Sequence, residues 1–234
     1  MGTQLGRGHA SVSIVIPVLD DGLELARLLG ELDELASTAN VSPEIIVIDG
    51  GSNDDSLKVA RSAGVLVISA ARNRGLQLDE GARSATASWL WFVHADTVLN
   101  AHSLQYMHEL REPGWGRFDI EIKPTSTLLK LVAWFMNERS RVSGICTGDQ
   151  GIFVHNTLLS DIGGVPRQPL MEDIELSKRL VKHSRPLAPA IKLMTSARRW
   201  QRRGTIRTIV AMWYLRWRYW CGADPVVLAR QYYG

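Results

Sequence analysis

The sequence predicts an α/β fold in which a mainly parallel sheet is flanked by helices. Short apolar runs typical of buried strands alternate with segments whose apolar residues recur at helical spacing, and four such strands precede residue 97. Strands that alternate with helices form parallel sheets through right-handed crossovers. Two of the runs end in aspartates, Asp49 and Asp96, which predicts carboxylates at the sheet edge where ligands bind in open α/β folds.

Local signals divide the first half of the chain into elements. Apolar residues from Leu25 to Leu35 have helical spacing, and Asp20 or Asp21 precedes them as a candidate N-cap. Asp54 or Asp55 is predicted to begin the next helix. The predicted elements are strands at 11–16, 44–48, 65–69 and 89–96 and helices at 25–35, 54–63 and 76–87.

The second half is less regular. The predicted strands lie at 117–123, 150–155 and within 186–195, and the predicted helices lie at 102–111, 127–141, 156–162, 174–182 and 205–220. The sequence contains no internal repeat, low-complexity tract or linker, so we expect residues 11–234 to form a single domain. Residues 1–10 are polar and are predicted to be a disordered lead, whereas residues from about 197 to 232 form a basic, Trp-rich helical region.

Bulk composition indicates a globular protein. Of 234 residues, 45% are hydrophobic and 22% are charged, which is ordinary for a globular chain. The two cysteines, Cys146 and Cys221, are far apart and favour reduced thiols over a disulfide. No cleavable signal pattern and no apolar run of the ~20 residues needed for a membrane span is present. These features predict a cytoplasmic location, with the inner face of the membrane as the alternative.

Positive charge is concentrated near the C-terminus. Residues 176–223 contain 12 of the 27 Lys and Arg residues and none of the 24 Asp and Glu residues. This asymmetry points to an anionic partner such as a diphosphate, an anionic lipid surface or nucleic acid, with a solvated basic face as the alternative. The predicted helix at 205–220 is rich in Trp and Arg, which is typical of an interfacial membrane helix but also fits a helix packed on the domain.

Residues after the predicted strands are candidates for binding a nucleotide and a divalent metal. Asp49 can accept hydrogen bonds from a base or ribose, and Gly51 permits close backbone approach. His94 and Asp96 have the spacing of a D-x-D metal motif whose first acid is replaced by His. Since Mg²⁺ and Mn²⁺ prefer oxygen ligands and share substrate phosphates, Asp96 is the expected ligand. We expect His94 to contact the phosphates without ligating the metal.

Further candidates lie in loops and at helix starts, and each has a structural alternative. Arg74 begins a helix and suits a diphosphate, or lies in a basic surface loop. Glu172 and Asp173 offer a general base, or stabilise a helix N-terminus. The remaining candidates are small, polar, basic or aromatic residues that suit substrate approach, diphosphate binding or stacking, or belong to ordinary turns and surface: Gly148, Asp149, Gln150, Arg199 and Trp200.

Together these segments resemble family 2 glycosyltransferases of the GT-A fold, most of all small single-domain bacterial members. The resemblance runs from about Ser11 to Tyr232. Its markers, in the order of the family, are Ser13-Ile14-Val15-Ile16-Pro17-Val18, Ile48-Asp49-Gly50-Gly51-Ser52, His94-Ala95-Asp96, Thr147-Gly148-Asp149-Gln150, Met171-Glu172-Asp173-Ile174-Glu175-Leu176 and Arg198-Arg199-Trp200.

The resemblance implies roles for individual residues. Pro17 and Asp49 would contact the nucleoside of a nucleotide-diphospho-sugar, Asp96 would hold Mg²⁺ or Mn²⁺ at its diphosphate, and Asp173 would be the catalytic base. In processive relatives a Q-x-x-R-W motif lies near the acceptor and the diphosphate. This chain has Arg199 and Trp200 without the Gln and lacks the long transmembrane segments of those synthases, so processivity is not expected.

The implied function is inverting transfer of a sugar, with a UDP-sugar favoured, to the hydroxyl of a glycan, lipid or small molecule. Nucleic acid is not an expected partner, because no recognised nucleic-acid motif accompanies the basic segment. Two other functions stay open. A non-catalytic nucleotide-sugar-binding protein would keep Asp49 and the basic region, and a nucleotidyltransferase shares the architecture, although the glycine-rich, Arg-containing signature expected after the first strand is missing here.

Overall fold

The structure is a computed structural model that describes residues 11–198, 200 and 204–233. The strands are β1 Val12–Val18, β2 Glu44–Asp49, β3 Leu66–Ser69, β4 Trp89–Phe92, β5 Trp115–Gly116, β6 Asp119–Lys123, β7 Phe153–His155 and β8 Lys192–Ser196. The helices are α1 Gly22–Ala39, α2 Ser56–Ser62, α3 Arg74–Ser84, α4 Ala101–Glu109, α5 Thr127–Ser143, α6 Asn156–Asp161, α7 Glu172–Val181, α8 Thr205–Trp220 and α9 Pro225–Tyr233.

The main sheet has six strands in the order β3–β2–β1–β4–β7–β5. Strands β1 to β4 are parallel, and β7 runs antiparallel to β4 and β5. In the first pair Val18 lies opposite Asp49, so both strands end at the same edge. Strands β6 and β8 pair in parallel as a second, two-stranded sheet. The predicted α/β fold with a mainly parallel sheet and flanking helices is confirmed.

The alternation of side chains along β1 divides the core between the two faces of the sheet. Ile14 and Ile16 pack with Leu28 of α1 on one face, in a cluster that also includes residues of α4. Val15 points to the other face, where it packs with Ile48 and with Leu78 of α3. Helices α1 and α3 therefore cover opposite faces, as right-handed crossovers require.

Several predicted boundaries are wrong for identifiable reasons. Strand β4 ends at Phe92, so Asp96 lies in the following turn rather than on the strand. The strand predicted at 117–123 begins two residues later, as β6, and the short β5 before it was not predicted and belongs to the other sheet. The strand predicted at 150–155 is shortened because Gly148–Gln150 forms a 3-10 turn. Helix α7 begins at Glu172, two residues before the predicted start.

The predicted cap of α1 is also wrong. The side chain of Asp21 makes no capping hydrogen bond, and Asp20 has a left-handed backbone with φ 50°. The Gly22 N–H instead donates to Asp54 Oδ2 at 2.9 Å. Because Asp54 Oδ1 also accepts the Ser56 N–H at 2.9 Å, one carboxylate caps the starts of both α1 and α2.

The C-terminal half is joined to the second sheet by polar contacts. Asn137 of α5 pairs with Ile120 of β6: its Oδ1 accepts the backbone N–H and its Nδ2 donates to the carbonyl, both at 3.0 Å. Arg117 is fully buried, bonds to the side chain of Asp119 and donates to the Asn137 carbonyl at 2.9 Å. Cys146 and Cys221 are free, with Cys146 buried and Cys221 exposed.

Helices α5 and α8 share an exposed surface, here called the aromatic face. Phe135 of α5 and Trp213 of α8 have ring centroids 5.7 Å apart. The exposed large apolar side chains that form the face are Leu131, Trp134, Ile206, Val210, Trp213, Trp217 and Trp220. The Trp-rich helix packs on the domain through its other face, where Leu215 lies in a buried cluster with Ile174 and Leu228. Among the described residues no helix is long and apolar enough to cross a membrane.

Candidate active site

A cavity of about 800 Å³ lies beyond the carboxyl ends of β1 and β4. The loop after β1 and the turn after β4 form one wall, the starts of α3 and α7 form another, and α5, α8 and the end of α9 complete it. Predicted site residues that line it are Arg74, His94, Gly148, Asp149, Glu172, Asp173 and Trp200. The fold thus brings together residues that are dispersed over more than half of the sequence.

Asp173 is held in place by backbone groups. Its Oδ2 accepts the Gly148 N–H at 2.9 Å, and its Oδ1 accepts the N–H of Ile174 at 2.7 Å. The carboxylate lies in the first turn of α7, where the helix dipole favours negative charge. The chain reaches this turn through Met171, whose φ of 64° is unusual for a bulky residue and is the kind of strain found at functional sites.

The neighbouring Glu172 lies in a different environment. Its side chain is buried, and burial together with the nearby Asp173 carboxylate raises the pKa of Glu172 to about 7, while Arg74 opposes the shift. Arg74 Nε is 3.8 Å from Glu172 Oε1. The next residue, Gly75, lets the start of α3 lie close to the loop before α7, because a Cβ there would lie 2.3 Å from the Pro166 carbonyl oxygen. Burial thus holds the pKa of Glu172 above the ordinary range of a glutamate.

His94 and Asp149 form a second polar contact in the cavity. His94 Nδ1 lies 3.3 Å from Asp149 Oδ1. A Cβ on Gly148 would lie 2.6 Å from His94 Nε2. Gly148, which was expected to permit close approach of substrate, therefore leaves room for the imidazole of His94. Because Gly148 also donates to Asp173, it links the turn after β4 to the start of α7.

A third group of charges lies where β1 ends. Arg198 Nη2 is 3.3 Å from Asp21 Oδ1 and 3.5 Å from Glu24 Oε1. The pKa of Asp21 is raised by burial, despite the Arg198 charge, and the carboxylate of Asp96 contributes to the shift. The two carboxylates, Asp21 and Asp96, are therefore electrostatic neighbours beside a guanidinium.

Some predicted residues are placed outside the cavity lining. Asp49 is buried, and its carboxylate accepts the N–H groups of Gly51 and Ser52, both at 3.1 Å. Gln150 is fully buried and donates to Ser140 Oγ at 2.9 Å, so it orders the turn. Pro17, Gly51 and Asp96 also do not line the cavity. Arg199 lies outside the described residues.

Sequence reasoning missed several cavity residues. Asp21, Arg198 and Arg216 line it, as does an apolar wall from α5 and α8 that includes Phe135 and Trp213. Asp21 was interpreted as a helix cap, and Arg216 carried no local signal because arginines are frequent in its helix. Their roles depend on residues distant in sequence, such as the Asp21–Arg198 contact, which spans 177 positions.

The donor atoms at the end of β1 and β4 fit a metal that is completed by substrate. No group of three or more His, Cys, Asp or Glu side chains in the part of the chain that the structure describes could hold a metal ion on its own. Asp96, with Asp21 nearby, offers carboxylate oxygens, which suit Mg²⁺ or Mn²⁺. These ions commonly bind through one or two carboxylates plus phosphate oxygens of the substrate.

Several solved structures have folds similar to this one. TarS 1-349 from S. aureus has a TM-score of 0.63 and 14% identity over 80% of this chain and 60% of that chain. Mannosyltransferase PcManGT from Pyrobaculum calidifontis, in complex with GDP-Man and Mn²⁺, has a TM-score of 0.64 and 15% identity over 90% and 61%.

Glucosyl-3-phosphoglycerate synthase from Mycobacterium tuberculosis, in complex with Mn²⁺, UDP and glucosyl-3-phosphoglycerate, has a TM-score of 0.55 and 16% identity over 80% of this chain and 71% of that chain. The chain thus spans about three fifths of the first two structures. At these identities the likeness shows the fold, which is the GT-A fold of glycosyltransferases.

A family comparison of the sequence finds one match. Residues 13–112 match the family model described as glycosyl transferase family 2. The match covers less than half of the chain and is confined to the part that contains β1 to α4. A search of curated protein sequences finds no match.

Proposed function

We propose that the protein transfers a sugar from a nucleotide-diphospho-sugar, with a UDP-sugar favoured, to an acceptor hydroxyl with inversion at the anomeric carbon. Asp173 acts as the general base. We further propose that residues 11–234 work as one catalytic domain. The observation that carries the proposal is the Asp173 carboxylate, fixed by two backbone N–H groups inside a cavity at the carboxyl ends of the parallel strands.

The proposed reaction is a single displacement. A carboxylate oxygen of Asp173 takes the proton of the acceptor hydroxyl while that oxygen bonds to the anomeric carbon. The bond from the anomeric carbon to the diphosphate oxygen breaks, and the nucleoside diphosphate leaves with the electron pair. General base catalysis of this kind contributes typically about 10²–10⁴-fold. Glu172, which is buried beside Arg74, tunes the charge around the base.

The donor is proposed to lie along the ends of β1, β2 and β4. Asp49 and Pro17 would face the nucleoside, and Gly51 would let the backbone approach it closely. Arg74, His94 and Arg199 would contact the diphosphate. On the acceptor side we propose Gly148, Asp149 and Trp200, with Gln150 supporting their turn from inside. Mg²⁺ or Mn²⁺ at Asp96 would neutralise charge on the departing diphosphate.

Replacement of the base tests the proposal directly. With UDP-, GDP- and dTDP-sugars, release of sugar to water by Asp173→Asn should fall about 10²–10⁴-fold, because the proton acceptor is lost. Nucleotide binding should change less than about twofold, and the exposed Asp161→Asn serves as the matched control. Equal loss of nucleotide binding would give Asp173 a structural role. No sugar release by the wild type would favour a binding protein, and pyrophosphate release from a nucleoside triphosphate would favour a nucleotidyltransferase.

The metal role of Asp96 has a separate test. We expect the same nucleotide-sugars to raise the melting temperature of the wild type more with Mn²⁺ than with EDTA, since a ligand at 100 times its Kd adds about 2.7 kcal/mol. Asp96→Ala should remove that metal dependence, whereas Asp20→Ala, an exposed acid in the loop after β1, should keep it. An unchanged metal dependence in Asp96→Ala would contradict its role as a ligand.

We also propose that the aromatic face lies on an anionic membrane surface. Trp217 and Ile206 are 64% and 69% exposed, and exposed Lys130 and Arg207 lie on the same two helices. Helices with exposed aromatic and basic side chains bind in the plane of the bilayer interface. Such binding would place the cytoplasmic enzyme at the inner face of the membrane, and the apolar wall of its cavity belongs to these same helices.

Sedimentation with phosphatidylglycerol vesicles tests this surface. The wild type should sediment at low salt and less at high salt, because screening weakens the attraction of basic side chains. Trp217→Ser should reduce sedimentation, whereas Leu23→Ser, which removes a 90% exposed apolar side chain on α1, should not. Absence of binding at low salt would overturn the membrane proposal.

A further inference from the structure

Two arginines behind the candidate base have buried N–H groups without hydrogen-bond partners. Among the described residues, Nε and Nη2 of Arg139 and Nε of Arg216 are buried and unpaired. Buried polar groups are normally paired in folded proteins, and unpaired charged donors are costly. These atoms therefore require an explanation, and a ligand with oxygen acceptors is the simplest one.

The two guanidinium groups also repel each other. Burial and the neighbouring Arg216 charge lower the pKa of Arg139 to about 10, and burial lowers the pKa of Arg216. Both interact electrostatically with the Asp173 carboxylate. The Asp173 oxygens already accept hydrogen bonds from Gly148 and Ile174, and three arginine nitrogens near Asp173 stay unpaired.

Other arginines around the cavity are paired. Arg74 faces Glu172, and Arg198 faces Asp21 and Glu24. Arg216 lines the cavity, and Arg139 lies one turn beyond Met136, another lining residue, on α5. The unpaired arginines are neighbours of Asp173, whereas the carboxylates suited to a metal, Asp21 and Asp96, lie with Arg198 where β1 ends.

We propose that Arg139 and Arg216 bind a phosphate group of the acceptor beside Asp173. This inference rests on the proposed function, because a general base must lie within hydrogen-bond reach of the acceptor hydroxyl. A ligand anchored at these arginines would present a nearby hydroxyl to Asp173. A phosphate monoester carries a charge of about −1.5 to −2 at neutral pH, which matches two guanidinium groups, and arginine binds such oxyanions through two parallel hydrogen bonds.

Calorimetry on the full chain tests the phosphate site. The nucleotide site is first saturated with UDP or GDP and Mn²⁺, so that a probe cannot bind at the diphosphate position. Glycerol 3-phosphate should then bind and glycerol should not. Arg139→Gln and Arg216→Gln should each weaken glycerol 3-phosphate binding at least tenfold, while Arg61→Gln, at an exposed arginine of α2, should leave it unchanged.

The source of the phosphate is distinguished by a second probe. Dihexanoyl phosphatidic acid below its micelle concentration should bind at least tenfold more tightly than glycerol 3-phosphate if the acceptor is a lipid, because its chains would contact the apolar wall. Equal affinities would identify a free phosphorylated acceptor. Either result supports the site if binding depends on Arg216.

Three results separate this inference from the proposed function. Phosphate binding that is unchanged in both variants, while the wild type still releases sugar from its donor, would overturn the phosphate site alone. A matching loss of nucleotide affinity in Arg216→Gln would assign the pair to the donor and also overturn it. Arginine-dependent phosphate binding in a protein that releases no sugar would overturn the transfer reaction. The melting temperature of Arg139→Gln should be no lower than that of the wild type, because the substitution removes an unpaired charge. A lower melting temperature would therefore reveal a misfolded variant.

Discussion

The two halves of the molecule are built by different interactions. From β1 to α4, fully buried apolar residues such as Ile14 and Val15 form layers on the two sides of the parallel sheet. From β5 onward, Arg117 is as fully buried as Ile14, and Arg139 has buried donors without partners. The family match covers residues 13–112, the first of these halves. The half that matches the family model is thus built on apolar layers, whereas the other half contains buried charged groups.

The largest expected effect comes from the buried ion pair of the second half. Asp119→Ala leaves the fully buried Arg117 without its carboxylate, and breaking such a pair costs about 3–5 kcal/mol. In the first half, Leu28→Ala should cost about 2–5 kcal/mol by a different cause, the cavity left in the core. Urea denaturation of each variant measures both losses.

A surface acid on the same strand is the control for Asp119. Glu121 pairs with Lys123 at 3.1 Å, and both side chains are substantially exposed, so Glu121→Ala should cost less than about 1 kcal/mol. If Asp119→Ala were no more destabilising than Glu121→Ala, the second half would not depend on its buried charges and the contrast between the halves would fail.

The first half could be predicted from sequence because its signals are local. The spacing of Leu25, Leu28 and Leu32 predicts α1, and the apolar run of β1 agrees with its almost continuous burial inside the sheet. The second half was harder because its strands pair with distant partners. Strand β6 pairs with β8 in a separate sheet, and no local pattern near Asp119 indicates that it will lie beside Lys192.

In the candidate site, too, residues with local signals could be predicted and residues with distant partners could not. Asp173 and His94 stood out because acids and polar residues follow apolar strands or begin helices, and both line the cavity. Asp21 was misread as a cap because its partner Arg198 is far away in sequence. Arg216 was overlooked because its interest comes from Arg139 on another helix. Predictions from local pattern therefore find candidate bases and miss charges whose partners are remote.

A smaller, pH-dependent effect should distinguish Glu172 from acids elsewhere. Its pKa is raised by burial from the ordinary 4.5 to about 7, so between these values the folded state binds more protons than the unfolded state. Stability should therefore fall as pH rises from 4.5 to 7, at no more than about 1.4 kcal/mol per pH unit. Glu172→Gln should remove this slope in denaturation curves recorded across that range.

Glu175 on the same helix provides the matched comparison. Burial alone would raise its pKa, but hydrogen bonds from Tyr219 and Arg179 and nearby positive charges lower it. The contribution of Glu175 to stability is fully present above its ordinary pKa of 4.5. It is lost only as the pH falls through the lowered pKa of the folded state. Glu175→Gln should therefore run parallel to the wild type from pH 5 to 7. A wild-type curve that is flat over this interval would contradict the raised pKa of Glu172.

The smallest effect belongs to the first half and concerns a polar contact between the starts of α1 and α2. Asp54→Ala removes the carboxylate that accepts the N–H groups of Gly22 and Ser56, so it should cost about 0.5–2 kcal/mol, the usual value of a helix cap. Asp55, at the N-cap position of α2, makes no side-chain capping bond, and Asp55→Ala should change stability by less than about 0.5 kcal/mol. If Asp54→Ala and Asp55→Ala lost the same free energy of unfolding, the loss would come from the charge of the loop rather than from the hydrogen bonds of Asp54. A larger loss of stability in Asp54→Ala would show that an exposed carboxylate of the loop before α2, rather than the predicted Asp21, positions the helix that follows β1. The apolar half would then also depend on a polar contact, at the end of its strands.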